Sequence, residues 1–313
     1  MPHFSASVPG KIILFGEHAV VYGYPAIAVP VNKVQAKVVI TPEINAVEPT
    51  ITIIAPDVGI QDDLDKLPPR NPISDVIQRV KTELKINSIP SCTIKISSTI
   101  PITAGLGSGA SVSVAIIRSL SGFLGRPLTD KITSMIAFEV EKIHHGTPSG
   151  IDNTVVVYNK PVYFIKNHPL EQLVPGHPFT IVIGDTGIKV PTKDTVREVR
   201  QKWEKNHRKL EILFSGIGSI TRTARKSIKK GDWEHLGPLL NENHELLQEL
   251  GVSSQELDHL VNAAKEAGAE GAKLSGGGKG GNIVALTSQK KAKEIADAIE
   301  EAGAVRTIIT RVK

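Results

Sequence analysis

The stretch Pro101-Ile-Thr-Ala-Gly105-Leu-Gly107-Ser108-Gly109-Ala110-Ser111 is a glycine-rich loop that runs directly into an apolar segment at 110–124. Glycines let the backbone curl so that several N–H groups point into one cavity. The apolar segment predicts a buried helix, whose N-terminus adds a partial positive charge at the same point. The loop therefore predicts an anion site suited to a triphosphate. The hydroxyls of Ser108 and Ser111 could bind phosphate oxygens or a metal ion.

Two familiar phosphate-binding loops do not fit this stretch. The chain contains no Gly-x-x-x-x-Gly-Lys-[Ser/Thr] pattern, which excludes a P-loop. A dinucleotide fold needs Gly-x-Gly-x-x-Gly with an acidic residue about 20 positions later, and the spacing Gly105-x-Gly107-x-Gly109 differs from it. Taken by itself, the loop is equally consistent with a helix start that only needs flexible glycines.

The composition is that of an ordinary globular protein, with 313 residues, 40% of them hydrophobic and 22% charged. Cys92 is the single cysteine, so no intrachain disulfide forms and a cytoplasmic location is expected. Basic residues are scattered, the net charge is only +5 and 4% of residues are aromatic, which argues against a nucleic-acid partner. We see no signal peptide and no membrane-spanning run, and expect no membrane partner.

Strand and helix patterns alternate without a regular βαβ rhythm, which predicts an α+β fold in two halves. We place the domains at 1–170 and 178–313, joined by a linker at 168–178 that is rich in Pro and His. Segments 152–158 and 162–165 are predicted to form a β-hairpin that turns at Asn159-Lys160. The predicted strands are 12–15, 26–31, 35–41, 50–54, 93–97, 180–185, 282–286 and 305–312; the predicted helices are 73–84, 110–124, 129–145, 192–230, 234–250, 254–267 and 289–302.

Two further motifs flank the glycine-rich loop: Pro9-Gly-Lys11-Ile-Ile-Leu-Phe-Gly-Glu17-His18-Ala-Val-Val21-Tyr-Gly23 and Gly271-Ala-Lys273-Leu-Ser275-Gly-Gly-Gly-Lys-Gly-Gly281. The three motifs in this order resemble the GHMP kinase superfamily, named for its galactokinases, homoserine kinases, mevalonate kinases and phosphomevalonate kinases. The stretches 16–23 and His145-Gly-Thr-Pro-Ser-Gly-Ile-Asp152-Asn resemble the mevalonate kinase branch in particular. The resemblance spans nearly the whole chain.

This resemblance implies a two-domain GHMP kinase fold with the active site in the cleft between the halves. The N-terminal domain is expected to resemble domain 2 of ribosomal protein S5, and the C-terminal domain to be ferredoxin-like. ATP and mevalonate are the expected partners and Mg²⁺ the expected cofactor, in a monomer or a homodimer. The implied activity is ATP- and Mg²⁺-dependent phosphorylation of (R)-mevalonate to 5-phosphomevalonate in isoprenoid synthesis.

The resemblance also implies roles for single residues. Asp152 matches the catalytic base and Lys11 the lysine beside it, while Glu141 and Ser108 match positions at the magnesium ion. Positions that line the mevalonate pocket correspond to Glu17, His18 and Val21. The ATP-binding positions correspond to Ser98, Thr103, Ala104, Gly105, Leu106, Gly107, Ser108, Gly109 and Ala110. These roles suit the chemistry, because phosphoryl transfer needs positioned charges and a base for the alcohol proton.

Two departures from the family pattern leave alternatives open. Gly109 stands where mevalonate kinases usually have a second serine that binds magnesium, so Ser108, Ser111 or a water molecule takes that place. Lys279 is an added lysine in the third motif, where it binds ATP, binds a phosphorylated effector or points to solvent. Another GHMP small-molecule kinase, acting on phosphomevalonate or a sugar, and a non-catalytic nucleotide or metabolite sensor are the alternative functions.

Overall fold

The computed structural model describes residues 4–45, 50–101, 105–145 and 148–313. The chain forms two units, and it passes between them several times. The first unit contains Met1–Gly10, Val34–Pro101 and Gly107–Asn159, and the second contains Lys11–Lys33, Ile102–Leu106 and Lys160–Lys313. The segment 11–33 therefore clusters with the C-terminal part of the chain, although it lies close to the N-terminus in sequence.

The sheet of the first unit is built from β-branched, alternating segments. Strand β5 (Cys92–Ser98) buries Cys92, Ile94 and Ile96 on one face, as expected for a half-buried strand. The strand order is β4-β3-β5-β2, with β1 also paired to β2; β3 runs parallel to β5, and β2 runs antiparallel to it. The other strands are β1 (Phe4–Phe15), β2 (Ala26–Pro42), β3 (Ile51–Ala55) and β4 (Ile60–Asp63).

Four helices cover this sheet and form the core of the first unit with it. Helix α1 begins after Asn71, whose side chain accepts a hydrogen bond from the N–H of Ile73, and has Pro72 at its first position. Helix α2 packs against α1, α3 and α4, so its apolar side chains lie at the centre of the core. The helices are α1 (Pro72–Glu83), α2 (Ser108–Phe123), α3 (Asp130–His145) and α4 (Ile151–Tyr158).

The predicted strand at 152–158 is wrong, because this segment is helix α4. Its run of valines favours a strand by local propensity. Tertiary packing overrides that propensity, since α4 lies against α2 and α3 and buries Val155, Val156 and Val157. Gly150 and Asn159, both in the left-handed conformation, bound the helix. The strand at 162–165 is confirmed as β6 (Val162–Phe164), but it pairs with residues 26–28 of β2 and with residues 171–172.

The second unit contains an antiparallel four-stranded sheet of order β11-β8-β10-β9. Helices α8 and α9 pack on it, α7 packs against β9, and α6 packs against α7. The predicted helix at 192–230 is divided at Asn206 into α5 and α6. The elements are β7 (Glu171–Gln172), β8 (Phe179–Asp185), α5 (Thr192–Lys205), α6 (His207–Lys230), α7 (Trp233–Glu249), α8 (Gln255–Glu266), β9 (Gly271–Ser275), β10 (Asn282–Thr287), α9 (Ala292–Glu301) and β11 (Arg306–Val312).

The predicted α+β class is confirmed, since each unit combines helices with a mixed or antiparallel sheet.

Side chains alternate between the two faces of strand β9. On β9, Ala272 and Leu274 face the apolar core below α8 and α9, so Lys273 and Ser275 point to the opposite face of the sheet. Over the described part of the chain, no helix combines the length and the apolar character needed to cross a bilayer.

Candidate functional site

The glycine-rich loop ends at the N-terminus of α2, as the sequence predicts. Gly105 and Gly107 have φ of 75° and 76°, which side chains rarely adopt, and Gly107 is the residue that caps the helix. No side chain of the described residues caps this helix end, so the N–H groups of its first turn point outward without a partner from the helix itself. This is the geometry of an anion site. Thr103 and Ala104 lie outside the described residues.

The two serines of the loop differ in their surroundings. The Ser111 side chain is fully buried, and its Oγ lies 2.7 Å from the carbonyl oxygen of Pro9 and 2.9 Å from that of Gly107. This hydroxyl therefore ties α2 to β1. Ser108 is half-buried and Gly109 is exposed, both in the first turn of α2. Of the alternatives left open by the sequence, the geometry favours Ser108 as the hydroxyl that faces a phosphate or metal ion.

Short connections bring two carboxylates to the same end of the helical layer. Helices α2 and α3 pack together and are joined by only six residues, 124–129, so they run antiparallel. Glu141 lies roughly 17 Å along α3, and Ser108 lies roughly 22 Å back along α2 from the same connection. Helix α4, with Asp152 in its first turn, is separated from the end of α3 by five residues. Ser108, Glu141 and Asp152 therefore lie toward the same end of the helical layer of the first unit.

Helix α4 is fastened to α3 next to Asp152. The side-chain amide of Asn153 donates hydrogen bonds to the carbonyl oxygen of Ser134, at 3.1 Å, and to its hydroxyl, at 2.8 Å. The hydroxyl of Thr154 donates to the carbonyl oxygen of Gly150 at 2.7 Å. Asp152 itself is half-buried, whereas Glu141 is 9% exposed. The first turn of α4 is thus held rigidly while its aspartate retains access to solvent.

Ser98 ends strand β5 in the first unit. Its N–H donates to Asp57 Oδ2 at 2.7 Å, and its hydroxyl oxygen accepts the N–H of Ile100 at 3.1 Å. In these two hydrogen bonds the Ser98 hydroxyl acts only as an acceptor, so its own proton can be donated to a ligand.

The second unit contains the segment 16–23, which we call the substrate turn because the family resemblance implies that Glu17, His18 and Val21 line the substrate pocket. Gly16 has φ of 95°, and a Cβ there would meet the carbonyl oxygen of Pro25 at 2.4 Å, so only glycine fits. Glu17 and His18 are buried, and Val21 is half-buried in the 3-10 helix Ala19–Tyr22. Lys11 on β1 is 4% exposed, and its N–H donates to the carbonyl oxygen of Leu106 at 2.9 Å.

Glu17 forms an ion pair with Lys273 of β9, and neither side chain is exposed. Burial raises the pKa of the Glu17 carboxyl, against the opposing effects of Lys273 and, more weakly, Lys11. Burial likewise lowers the pKa of Lys273, against the effect of Glu17. Among the described residues, Glu17 Oε2 has no hydrogen-bond partner. The pair is thus an enclosed link between the substrate turn and the sheet.

His18 contacts the third motif. Its Nε2 lies 3.0 Å from the carbonyl oxygen of Gly277. Burial lowers the pKa of His18 to about 4, so the ring is neutral near pH 7. A carbonyl oxygen only accepts hydrogen bonds, so Nε2 holds the proton and Nδ1 is left with a lone pair. His18 can therefore accept a hydrogen bond through Nδ1, but it does not supply a positive charge.

Two glycines of the third motif are required by close backbone approach. A Cβ on Gly278 would lie 2.0 Å from the carbonyl oxygen of Val252, and one on Gly280 would lie 2.7 Å from that of Ile188. Lys279 has φ of 60°, donates its N–H to the carbonyl oxygen of Val252 at 2.7 Å and pairs its ammonium group with Glu198. In this structure the ammonium group of Lys279 is thus held in an ion pair with α5 and does not extend freely into solvent.

Sequence reasoning assigned no role to Lys273, Glu198 or the carbonyl of Gly277, which contact Glu17, Lys279 and His18 respectively. A signal for Lys273 was present, because a lysine between Ala272 and Leu274 of an apolar strand is costly unless it has an anionic partner. The carbonyl of Gly277 carries no such signal, since any residue supplies one.

Two family models match this chain, one in its N-terminal half and one in its C-terminal half. The family "GHMP kinases N terminal domain" matches residues 71–160, and "GHMP kinases C terminal" matches residues 224–305. The mevalonate kinase of Thermococcus sibiricus is 35% identical, with 98% of this chain and 95% of that protein aligned. The mevalonate kinase of Pyrococcus furiosus is 36% identical, with 95% and 93% aligned. The crystal structure of L. major mevalonate kinase in complex with R-mevalonate superposes with a TM-score of 0.83 at 29% identity, covering 99% of this chain and 95% of that one.

Proposed function

The chain belongs to the GHMP kinases, among the mevalonate kinases, and from this membership we propose that it transfers the γ-phosphoryl group of ATP to the 5-hydroxyl of (R)-mevalonate. It is an ATP-dependent kinase that acts on an alcohol. The observation that carries the site assignment is the uncapped N-terminus of α2, with Ser108, Glu141 and Asp152 at the same end of its helical layer.

In this proposal the first turn of α2 binds the triphosphate. The backbone N–H groups of Ser108, Gly109 and Ala110 donate to phosphate oxygens, and the helix dipole favours the negative charge there. Gly105 and Gly107 allow the curled approach, and the buried Leu106 anchors the loop through its carbonyl oxygen. Ser98, Thr103 and Ala104 complete the nucleotide contacts by resemblance.

Asp152 is assigned as the base. As the 5-oxygen of mevalonate attacks the γ-phosphorus, its proton passes to the Asp152 carboxylate, the bond to the β-phosphate oxygen breaks and ADP leaves. Lys11 is assigned to the stabilisation of negative charge during this transfer. Lys11 is buried in β1, where a cation interacts with nearby negative charge more strongly than it would in water.

Glu141 and Ser108 are the residues that we assign to Mg²⁺. Their carboxylate and hydroxyl oxygens are hard ligands, and a magnesium ion that binds phosphates needs only one or two protein groups because water and phosphate oxygens supply the rest. Bound there, the ion would supply positive charge that offsets the negative charge of the phosphate groups during transfer. The chain's own contribution is to hold both oxygens rigidly, on helices packed against each other.

The substrate turn is assigned to mevalonate. His18 is neutral and accepts a hydrogen bond at Nδ1, which suits a substrate hydroxyl, while the half-buried Val21 offers apolar contact. Glu17 is enclosed with Lys273, so its part is to shape the turn.

We further propose a cytoplasmic enzyme with sequence domains at 1–170 and 178–313, and keep monomer and homodimer as alternative assemblies.

A coupled assay of ADP release with (R)-mevalonate, ATP and Mg²⁺ tests the function. We expect turnover with mevalonate and at least about tenfold lower kcat/KM with 5-phosphomevalonate, galactose and homoserine. A higher kcat/KM with another acceptor would assign a different GHMP kinase activity. Binding of an ATP analogue without turnover of any acceptor would instead support the sensor alternative.

A further inference from the structure

Lys273 is a charged residue in an otherwise apolar strand, and the reaction as proposed above does not use it. It lies on β9 with no solvent exposure, facing away from the core that Ala272 and Leu274 enter. Its ammonium group pairs with Glu17 and donates a further hydrogen bond to the carbonyl oxygen of Leu274 at 2.6 Å. The two partners of the ion pair are 256 residues apart in sequence.

Stability alone is a poor explanation for such a pair. Removing two charges from water costs more than their attraction returns in many proteins, and apolar residues of similar volume often stabilise the fold as well or better. A fully enclosed ion pair is better suited to fixing one arrangement of the chain. Here it fixes where the substrate turn meets β9.

The residue next to Glu17 has a strained backbone. His18 adopts φ of 60° and ψ of −51°, outside the regions that residues with a side chain normally occupy. Such conformations persist only where the surroundings over-determine them, and they are concentrated at functional sites. The contact of His18 Nε2 with the carbonyl oxygen of Gly277 is one restraint. The ion pair on the preceding residue is the second.

We propose that Lys273 is a positioning residue for the alcohol substrate, which acts through its ion pair with Glu17 to hold the substrate turn in the strained conformation that binds mevalonate. This inference rests on the function proposed above. The lysine touches neither substrate in this scheme. Its effect reaches mevalonate only through Glu17, so its removal is expected to change mevalonate binding and to leave ATP binding intact.

Four variants test the idea: Lys273→Met, Glu17→Gln, the double variant, and Lys293→Met as a control. Lys293 pairs with Asp297 on α9, where both are partly exposed, so its variant removes a lysine–carboxylate pair away from the substrate turn. Each protein is assayed for kcat and for KM of both substrates, with thermal unfolding measured alongside. Lys273→Met is expected to raise the mevalonate KM at least about tenfold while the ATP KM stays within about twofold. Lys293→Met is expected to match the wild type.

The double variant separates positioning from simple loss of structure. If Lys273 acts through Glu17, Lys273→Met adds less than about twofold to the mevalonate KM once Glu17 is already glutamine. Equal increases in both KM values, or the same factor in both backgrounds, would overturn the proposal. Wild-type protein that fails to phosphorylate mevalonate would sink the proposed function instead.

A second substitution at position 273 covers the case in which Lys273→Met does not fold. Lys273→Arg keeps the cation but changes its geometry, so the charge is not lost from the pair. It is expected to raise the mevalonate KM selectively. A folded Lys273→Arg protein with an unchanged mevalonate KM would refute positioning by this residue.

Discussion

His18 Nε2 lies 3.0 Å from the carbonyl oxygen of Gly277, 259 residues later in the chain. The contact joins the first motif to the third within the second unit. It also sets the protonation of the ring, because Nε2 must donate and burial keeps the ring neutral, with a pKa lowered to about 4. A second buried histidine, His244, accepts the N–H of Leu274 at 3.3 Å and also has a pKa lowered to about 4.

The lowered pKa values of these two histidines predict how the free energy of unfolding depends on pH. Their folded pKa values lie below the unfolded value of about 6.5, so the unfolded chain takes up protons first as the pH falls. Their contribution is complete above pH 6.5 and is lost as the pH falls toward 4, by up to about 3 kcal/mol for each. Urea unfolding between pH 7.5 and 4.5 measures the decline in unfolding free energy.

Replacing His244 isolates its contribution to the pH dependence of stability from that of the other groups that titrate in this range. His244→Gln is expected to lower stability at pH 7 but to show a shallower decline toward pH 4.5 than the wild type. His235 serves as the control, because it is exposed and Asp232 raises its pKa, the opposite direction. His235→Gln should decline at least as steeply as the wild type. Parallel curves for His244→Gln and wild type would contradict the assignment.

Asp152→Asn and Lys11→Met test the proposed chemistry directly. Loss of a base typically costs about 10²- to 10⁴-fold in rate, or about 3–5 kcal/mol of transition-state stabilisation. We expect such a loss in kcat for Asp152→Asn and a large loss for Lys11→Met. The matched control is Asp297→Asn, a partly exposed helical aspartate. Near-normal turnover in both site variants would overturn these roles.

The two serines of the loop are predicted to respond in opposite ways. Ser111→Ala removes a buried hydroxyl that contacts two backbone carbonyls, and is expected to cost about 1–3 kcal/mol of stability without changing the Mg²⁺ requirement. Ser108→Ala should leave stability within about 0.5 kcal/mol and raise the Mg²⁺ concentration needed for half-maximal activity. Thermal unfolding and Mg²⁺ titrations of activity measure both, and the reverse pattern would show that Ser111 faces the metal.

Lys279→Ala is expected to leave the ATP KM within about twofold of the wild type. The ammonium group of Lys279 is taken up by Glu198, in a pair whose side chains are 35% and 46% exposed, so the loss of stability should not exceed about 1 kcal/mol. Glu198→Gln, which breaks the same pair from the other side, should behave alike. A rise in ATP KM with Lys279→Ala but not with Glu198→Gln would identify Lys279 as a phosphate ligand.

Local sequence was sufficient to predict the α+β class, most strands and helices, and the curled loop before α2. These features depend on neighbouring residues: alternation sets a strand, and only glycine readily adopts the positive φ of Gly105 and Gly107. Glu141 and Asp152 were assigned to the site from sequence as well, through resemblance to a family rather than through local physics, and that assignment stays a prediction.

Tertiary structure alone decided the features that depend on distant partners. Residues 152–158 have strand propensity and became a helix because α2 and α3 bury their valines. Ser108 and Ser111 look equivalent in sequence, and only the approach of the Pro9 carbonyl to Ser111 distinguishes them. Lys273 and Glu17 each carry a charge whose cost or benefit depends on whether the other is present, and nothing short of the folded chain brings residues 256 positions apart into contact.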